Sequence, residues 1–129
     1  MDRSDVARWV AAYERAWRTP GTAGLGGLFS DDVRYLPSPW APAIQGLDAL
    51  AAFWEDERTG PDESFDLASE VVAVDGAVAV VRVSVEYAAD QPSRWRDLWV
   101  VTFAPDDRCR AFEEWPFAGP RRRGHRVAG

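Results

Sequence analysis

The sequence predicts an α+β domain: N-terminal helices packed on a curved antiparallel sheet. Three observations carry this. Apolar residues recur at helical spacing in two N-terminal stretches, then at a spacing of two from Phe65 onward. Strong turn signals, Asp75-Gly76 and Pro105-Asp106-Asp107-Arg108, divide the second half into hairpins. Helices come first and strands afterwards, which is the α+β order rather than the alternation of a parallel sheet.

Val6, Trp9, Val10, Tyr13, Ala16 and Trp17 fall on one helical face, with Arg8, Glu14, Arg15 and Arg18 between them. Asp2 or Ser4 can cap this helix, and Pro20-Gly21 ends it. The stripe packs a core, and Tyr13 or Trp17 has a further reading as a ligand contact. The glycine-rich run from Gly21 to Phe29 has no Gly-Lys-Ser/Thr, no dinucleotide spacing and no preceding strand. It therefore reads as a short helix ending at Phe29 and not as a phosphate loop. Asp31 to Tyr35 is a short strand. Leu36 to Pro42 holds three prolines, which rules out regular structure, and carries the apolar Trp40. Ile44-Gln45-Gly46 leads into a second amphipathic helix with Leu47, Leu50, Ala51 and Trp54 on one face. Glu55-Asp56-Glu57 reads as its solvated end, and Gly60-Pro61 breaks the chain.

Four strands follow as a meander: Phe65 to Val74, Ala77 to Tyr87, Trp95 to Phe103, and Cys109 to Phe117. Ala88 to Ser93, with Pro92, is a loop. Residues 1–117 form one domain, and 118–129 an Arg-rich flexible tail.

At 129 residues and 47% hydrophobic content, the chain can build a single core. Seven tryptophans exceed what such a core needs, so some serve a pocket or an interface. A net charge of −6 disfavours nucleic acid as a partner. Arg121, Arg122, Arg123 and Arg126 crowd the end, so the body is more acidic still. Every Lys or Arg is arginine; with abundant Ala, Gly, Pro, Val and Asp this points to a high-GC bacterial genome. Cys109 is the single cysteine, which excludes an intrachain disulfide and fits a reduced, cytoplasmic setting. The first residues hold no apolar run suited to a signal peptide, and no stretch approaches the roughly 18 apolar residues of a membrane span. No cofactor motif or metal-ligand cluster is present, so neither a cofactor nor a metal is expected.

The order of elements resembles the nuclear-transport-factor-2-like (NTF2-like) superfamily, particularly its SnoaL-like bacterial members. The matching stretches are the aromatic first helix ending near Trp17, LFSDDVRY at 28–35 and the Pro-rich loop. IQGLDALAAFW at 44–54, VDGAVAVVRVSVEY at 74–87 and the final RDLWVVTF and RCRAFEEWPF follow in order. The resemblance implies a cone-shaped sheet wrapped around helices, often dimeric, with a pocket on its concave side. Members include isomerases, cyclases, hydrolases, dehydratases and proteins without catalysis, so the fold does not decide the function. Three departures narrow the choice. Ketosteroid-isomerase-like members carry a basic aspartate before the Pro-containing loop, where this chain reads Tyr35-Leu36-Pro37-Ser38-Pro39. The Arg-Asp-Asp set of limonene-epoxide-hydrolase-like members has no clear counterpart. The histidine that many SnoaL-like cyclases carry on the last strand is missing, since the only histidine is His125.

The strand period of two assigns the faces. Treating Asp106-Asp107 as a two-residue turn sets Trp99 opposite Glu114 and Val101 opposite Phe112. With Tyr87 near Trp95, one face collects Val81, Val83, Val85, Tyr87, Trp95, Asp97, Trp99, Val101, Phe112 and Glu114. Being the more apolar, it is assigned to the concave side. Asp97 and Glu114 are then neighbouring carboxylates in an apolar wall and the candidate catalytic pair, since proximity and burial raise a carboxyl pKa. The structural alternative is that Asp97 accepts hydrogen bonds from a tryptophan, a tyrosine or Arg34. A one-residue change in register would replace Glu114 by Glu113. Tyr13, Trp17, Tyr35, Trp54, Val83, Val85, Tyr87, Trp99 and Phe112 are the expected ligand-binding residues. The opposite face carries Leu98, Val100, Trp115 and Phe117, and is the expected homodimer surface. The leading functional expectation is a pocket protein for a small apolar molecule. The alternatives are an acid–base enzyme of isomerase, cyclase or hydrolase type using Asp97, and a non-catalytic dimeric interaction module.

Overall fold

The computed structural model describes residues 1–57, 65–87 and 94–119. The Gly60-Pro61 break, the loop with Pro92, and the tail from residue 120, His125 included, lie outside the described residues. Helix α1 spans Arg3–Arg18 and is closed at its start by a capping box. The Asp2 carboxylate accepts from Asp5 N at 2.8 Å, and Asp2 N donates back to the Asp5 carboxylate at 3.0 Å. Its buried face is Val6, Trp9, Val10 and Tyr13, the stripe expected from the spacing. The glycine-rich run gives α2, Leu25–Leu28, and the Trp9 indole N–H fixes it by donating to Leu28 O at 3.0 Å. Strand β1 (Phe29–Leu36), a two-residue β2 (Ile44–Gln45) and helix α3 (Leu47–Glu57) follow. Gly46, at φ +87°, makes the turn from β2 into α3 and donates its N–H to Val33 O at 2.8 Å.

Strands β3 (Phe65–Asp75), β4 (Val78–Tyr87), β5 (Arg94–Phe103) and β6 (Cys109–Gly119) form the expected antiparallel meander. The sheet is nonetheless six-stranded and mixed, in the order β2-β1-β6-β5-β4-β3, because β1 pairs parallel to β6. It is curved and does not close. The link between β3 and β4 is Gly76-Ala77, one residue later than the Asp75-Gly76 signal suggested, with Gly76 at φ +58°. Val85, not Tyr87, lies opposite Trp95; the offset is two residues, so the face assignment survives. Strand β6 continues through Ala118 and Gly119, paired with Trp95 and Arg94, two residues beyond the expected end of the domain.

The β5–β6 turn differs in detail and agrees in outcome. Ala104 N donates to Arg108 O at 2.7 Å, which leaves Pro105, Asp106 and Asp107 as a three-residue connection. Asp107 takes the left-handed conformation, φ 68°, which Asp tolerates better than most residues. Arg110 is then skipped in the pairing, since Phe103 faces Cys109 and Thr102 faces Ala111. The odd residue in the turn and the bulge cancel, so Trp99 does face Glu114 and Val101 does face Phe112.

Helices and concave sheet face share one core that includes Trp9, Tyr13, Phe29, Tyr35, Trp54, Trp99 and Phe112. The exposed edge of β3 is bulged at Val72, and the Arg3 guanidinium covers it by donating to the carbonyls of Val71 and Val72. Trp40, in the Pro-rich loop, is 96% exposed. No helix among the described residues is long and apolar enough to cross a membrane.

Candidate functional site

The concave face carries aromatic rings in an interlocked set. Phe112 packs nearly parallel to two tyrosines, 5.7 Å from Tyr13 and 4.7 Å from Tyr35, with interplanar angles of 11° and 9°. Trp54 meets Tyr13 edge-on at 5.1 Å and Trp17 at 4.8 Å. Trp99 packs on Tyr13 at 4.6 Å and on Phe112 at 5.1 Å. Of the expected ligand-binding residues, Tyr13, Tyr35, Trp54, Val83, Trp99 and Phe112 are thus core residues in contact with one another or with the same packed set. Val85 is nearly buried beside them. Trp17 and Tyr87 are only partly buried, as is Trp95 opposite Val85. Phe53, 5.7 Å from Tyr35, was not among the expected residues, although it follows Leu50 by three on the helix.

The two tyrosine hydroxyls meet at 3.3 Å inside this set. Burial, above all, keeps both phenols protonated well beyond the usual tyrosine range, and the Glu114 charge acts in the same direction. The Cys109 thiol is pushed up to about 12 by burial, and it donates to Ala111 O at 3.2 Å. It is therefore a packed thiol and not a nucleophile.

Asp97 on β5 and Glu114 on β6 are diagonal neighbours on the concave face, because Glu114 lies opposite Trp99. The register settles the choice between adjacent glutamates. Glu113 points to the other face, where its carboxylate accepts from the Trp115 indole N–H. Asp97 is 7% exposed, and its raised pKa comes first from burial. The nearby Glu114 carboxyl, Phe117 backbone N–H and Trp99 indole work in the opposite direction. Glu114 is held well above the ordinary carboxyl range, again chiefly by burial, and then by the adjacent Asp97 carboxyl and its charge. Arg34, one suggested partner for Asp97, is instead exposed on β1 opposite Gln45.

Two details define what this pair can do. Among the described residues, Asp97 Oδ1 and Trp99 Nε1 are buried polar atoms without a partner in hydrogen-bond geometry. A buried acceptor without a donor is costly, and a proton held on Glu114 would satisfy that acceptor. Second, Glu114 is half-buried, whereas Asp97 is buried.

A separate open cleft of about 290 Å³ crosses the ends of β3, β4 and β5. Its walls combine Asp66, Ser84, Glu86, Arg94 and Arg96 with Leu67, Val85 and Trp95, so it is half polar and half apolar, and Glu86 and Arg94 are ion-paired at 3.2 Å. Among the described residues no three His, Cys, Asp or Glu side chains come together as a metal site.

Helices held on the concave side of a curved, open sheet over an aromatic interior define the NTF2-like class of cone. Within that class the chain belongs to the SnoaL-like domain family, whose model matches residues 6–112. Solved structures share the fold. The epoxide hydrolase/cyclase-like enzyme SalBIII, described in pyran ring formation in the polyether salinomycin, superposes with TM-score 0.70 at 15% identity, over 90% of this chain and 93% of that one. A proposed polyketide cyclase from Sinorhizobium meliloti gives 0.68 at 22% identity, over 88% and 99%. A proposed SnoaL-like polyketide cyclase from Jannaschia sp. CCS1 gives 0.67 at 19%, over 90% of each chain. No curated protein matches the sequence.

Proposed function

We propose that this protein binds a small, largely apolar molecule on the concave side of its sheet, with Glu114 as its deepest polar contact. The observation that supports the reading is a carboxyl pair, Asp97 and Glu114, set in an otherwise apolar and aromatic concave face, with Glu114 only half-buried. The partly buried rings of Trp17, Tyr87 and Trp95 would form the walls, and Tyr13, Tyr35, Trp54 and Phe112 the packed base that holds them rigid. Val83, Val85 and Trp99 complete the same face. A neutral fluorescent probe, N-phenyl-1-naphthylamine, tests this directly. Saturable binding that weakens in Trp95→Ala is expected. Fluorescence that rises linearly without saturation would refute a formed site.

The carboxyl pair favours a second reading, in which the bound molecule undergoes acid–base chemistry. One proton shared by two carboxyls provides a base and an acid side by side, the arrangement needed to remove a proton next to a carbonyl and return it. That some structural neighbours are described as cyclases is compatible with such chemistry. The bicyclic ketone 2-tetralone in deuterated buffer is a suitable probe, with deuterium uptake beside its carbonyl followed by NMR. Acceleration by the native protein and its loss in a folded Asp97→Asn variant are expected. Unchanged uptake in that variant would remove Asp97 from the mechanism.

A further inference from the structure

The open cleft at the ends of β3, β4 and β5 carries two rows of outer-face side chains. Asp66, Glu86 and Arg94 stand opposite one another in one row, and Ala68, Ser84 and Arg96 in the next. Glu70 and Arg82 begin a third row, outside the cleft. Charges in this array pair across the strands: Glu70 with Arg82, and Glu86 with Arg94. Two charges are left over. Among the described residues neither Asp66 nor Arg96 belongs to an ion pair. Asp66 has a like charge, Glu86, as its cross-strand neighbour, and Glu86 is itself taken up by Arg94. Arg96 faces Ser84, where a carboxylate would have continued the pattern. The unpaired charges therefore sit at opposite corners of one cleft, the cation on β5 and the anion on β3, with the small side chains of Ala68 and Ser84 between them. Two strand spacings across and two residues along put their backbones about 12 Å apart.

We propose that this cleft binds a small zwitterion, a linear ω-amino carboxylate, with its carboxylate on Arg96 and Ser84 and its ammonium on Asp66. The Arg96 guanidinium offers paired N–H donors that match a carboxylate, and the Ser84 hydroxyl beside it donates a further bond. Asp66 accepts from the ammonium, which also relieves its repulsion with Glu86. A hydrogen bond of about 3 Å at each end leaves about 6 Å between the ligand's charges, the span of a five-carbon chain. Its methylenes lie over Ala68 and the apolar walls at Leu67 and Val85. The acids Asp66 and Glu86 balance Arg94 and Arg96, so the cleft is neutral and suits a neutral ligand. A dicarboxylate would bring one end against Asp66 and Glu86, and a diamine one end against Arg94 and Arg96, so both are disfavoured. The site is on the face opposite Asp97 and Glu114 and is independent of any ligand on the concave side.

NMR titration of the nitrogen-15-labelled full chain tests this with three probes: 5-aminopentanoate, pentanoate and pentylamine. The amide signals of Ala68 and Ser84 should follow 5-aminopentanoate to saturation. The two probes with a single charged end should bind about two- to fivefold more weakly, the worth of one exposed ion pair. Arg96→Gln should bring 5-aminopentanoate down to the level of pentylamine, and Asp66→Asn to that of pentanoate. Ser84→Glu gives Arg96 a partner within the chain and should act as Arg96→Gln does. All three positions lie on the outer face, and near-UV circular dichroism checks that each variant keeps its packing. Signals that shift linearly without saturation, as would follow if another part of the chain covered the cleft, overturn the proposal. So does a single-ended probe that binds as tightly as 5-aminopentanoate, or an advantage of the latter that survives both Arg96→Gln and Asp66→Asn.

Discussion

Replacing Glu114 by Gln should stabilise the protein above about pH 5 and leave it nearly unchanged below. Both members of the interior pair have raised pKa values, Glu114 well above its ordinary 4.5. A carboxyl raised in the folded state holds a proton that the unfolded chain would release. Its favourable contribution is complete below the unfolded pKa and is lost as the pH rises through the folded one. One proton changes the unfolding free energy by at most about 1.4 kcal/mol per pH unit. At about 2.1 cal/mol/K of unfolding entropy per residue, the 129-residue chain converts this into about 5 °C per pH unit. Gln keeps the shape of the protonated acid, has no proton to lose, and its amide can donate to the unpartnered Asp97 Oδ1. Thermal melts of both proteins from pH 4.5 to 8 give the difference in Tm. Contributions from Asp5 and Asp106, whose pKa values backbone N–H groups lower, cancel in that difference. The difference should grow in favour of the variant, at up to about 5 °C per pH unit. A difference that ignores pH, or that favours the native protein at pH 7, would refute the shared-proton account.

Phe112→Ala should cost about 3–5 kcal/mol in urea unfolding, because the ring is 1% exposed and packs on Tyr13, Tyr35 and Trp99. A loss below about 1 kcal/mol would mean that the stack relaxes freely. Asp2→Ala should cost about 1 kcal/mol by the same measurement, since it removes the acceptor for Asp5 N and releases the reciprocal bond. An unchanged midpoint would show that the first turn of α1 adds nothing to global stability.

What the sequence made legible was local. The period of two on β4, β5 and β6 placed Val81, Val83, Asp97, Trp99 and Phe112 on the buried face, and all five are buried there. The helical stripe of α1 was equally plain, because Trp9 and Tyr13 recur where a helix turns. The parallel pairing of β1 with β6 was not legible: it joins segments some 80 positions apart, and neither strand carries a pattern that distinguishes a parallel from an antiparallel neighbour. Strand β2 is two residues long, too short for any periodicity. Nothing in the Pro-rich loop indicated whether Trp40 packs, and its ring stands in solvent.

The placement of Glu114 shows how narrowly a site can depend on such details. The three-residue turn, carried straight down the hairpin, would set Thr102 opposite Arg110 and Trp99 opposite Glu113. Glu113 and Trp115 would then face the core, and Glu114 and Phe112 the solvent. The skipped Arg110 prevents this, and the burial of side chains on either side of it records the change of phase: Cys109 and Phe112 are both inward, although three residues apart. The energetic reason lies in what the alternative would bury. Phe112 packs against both tyrosines and Trp99, whereas the slipped strand would offer Ala111 or Glu113 to the same space. Core packing selects the bulge, and the bulge in turn brings Glu114 to Asp97 and leaves Glu113 beside Trp115. The acid pair inside and the charged, apolar face outside are thus two consequences of one residue left out of the ladder.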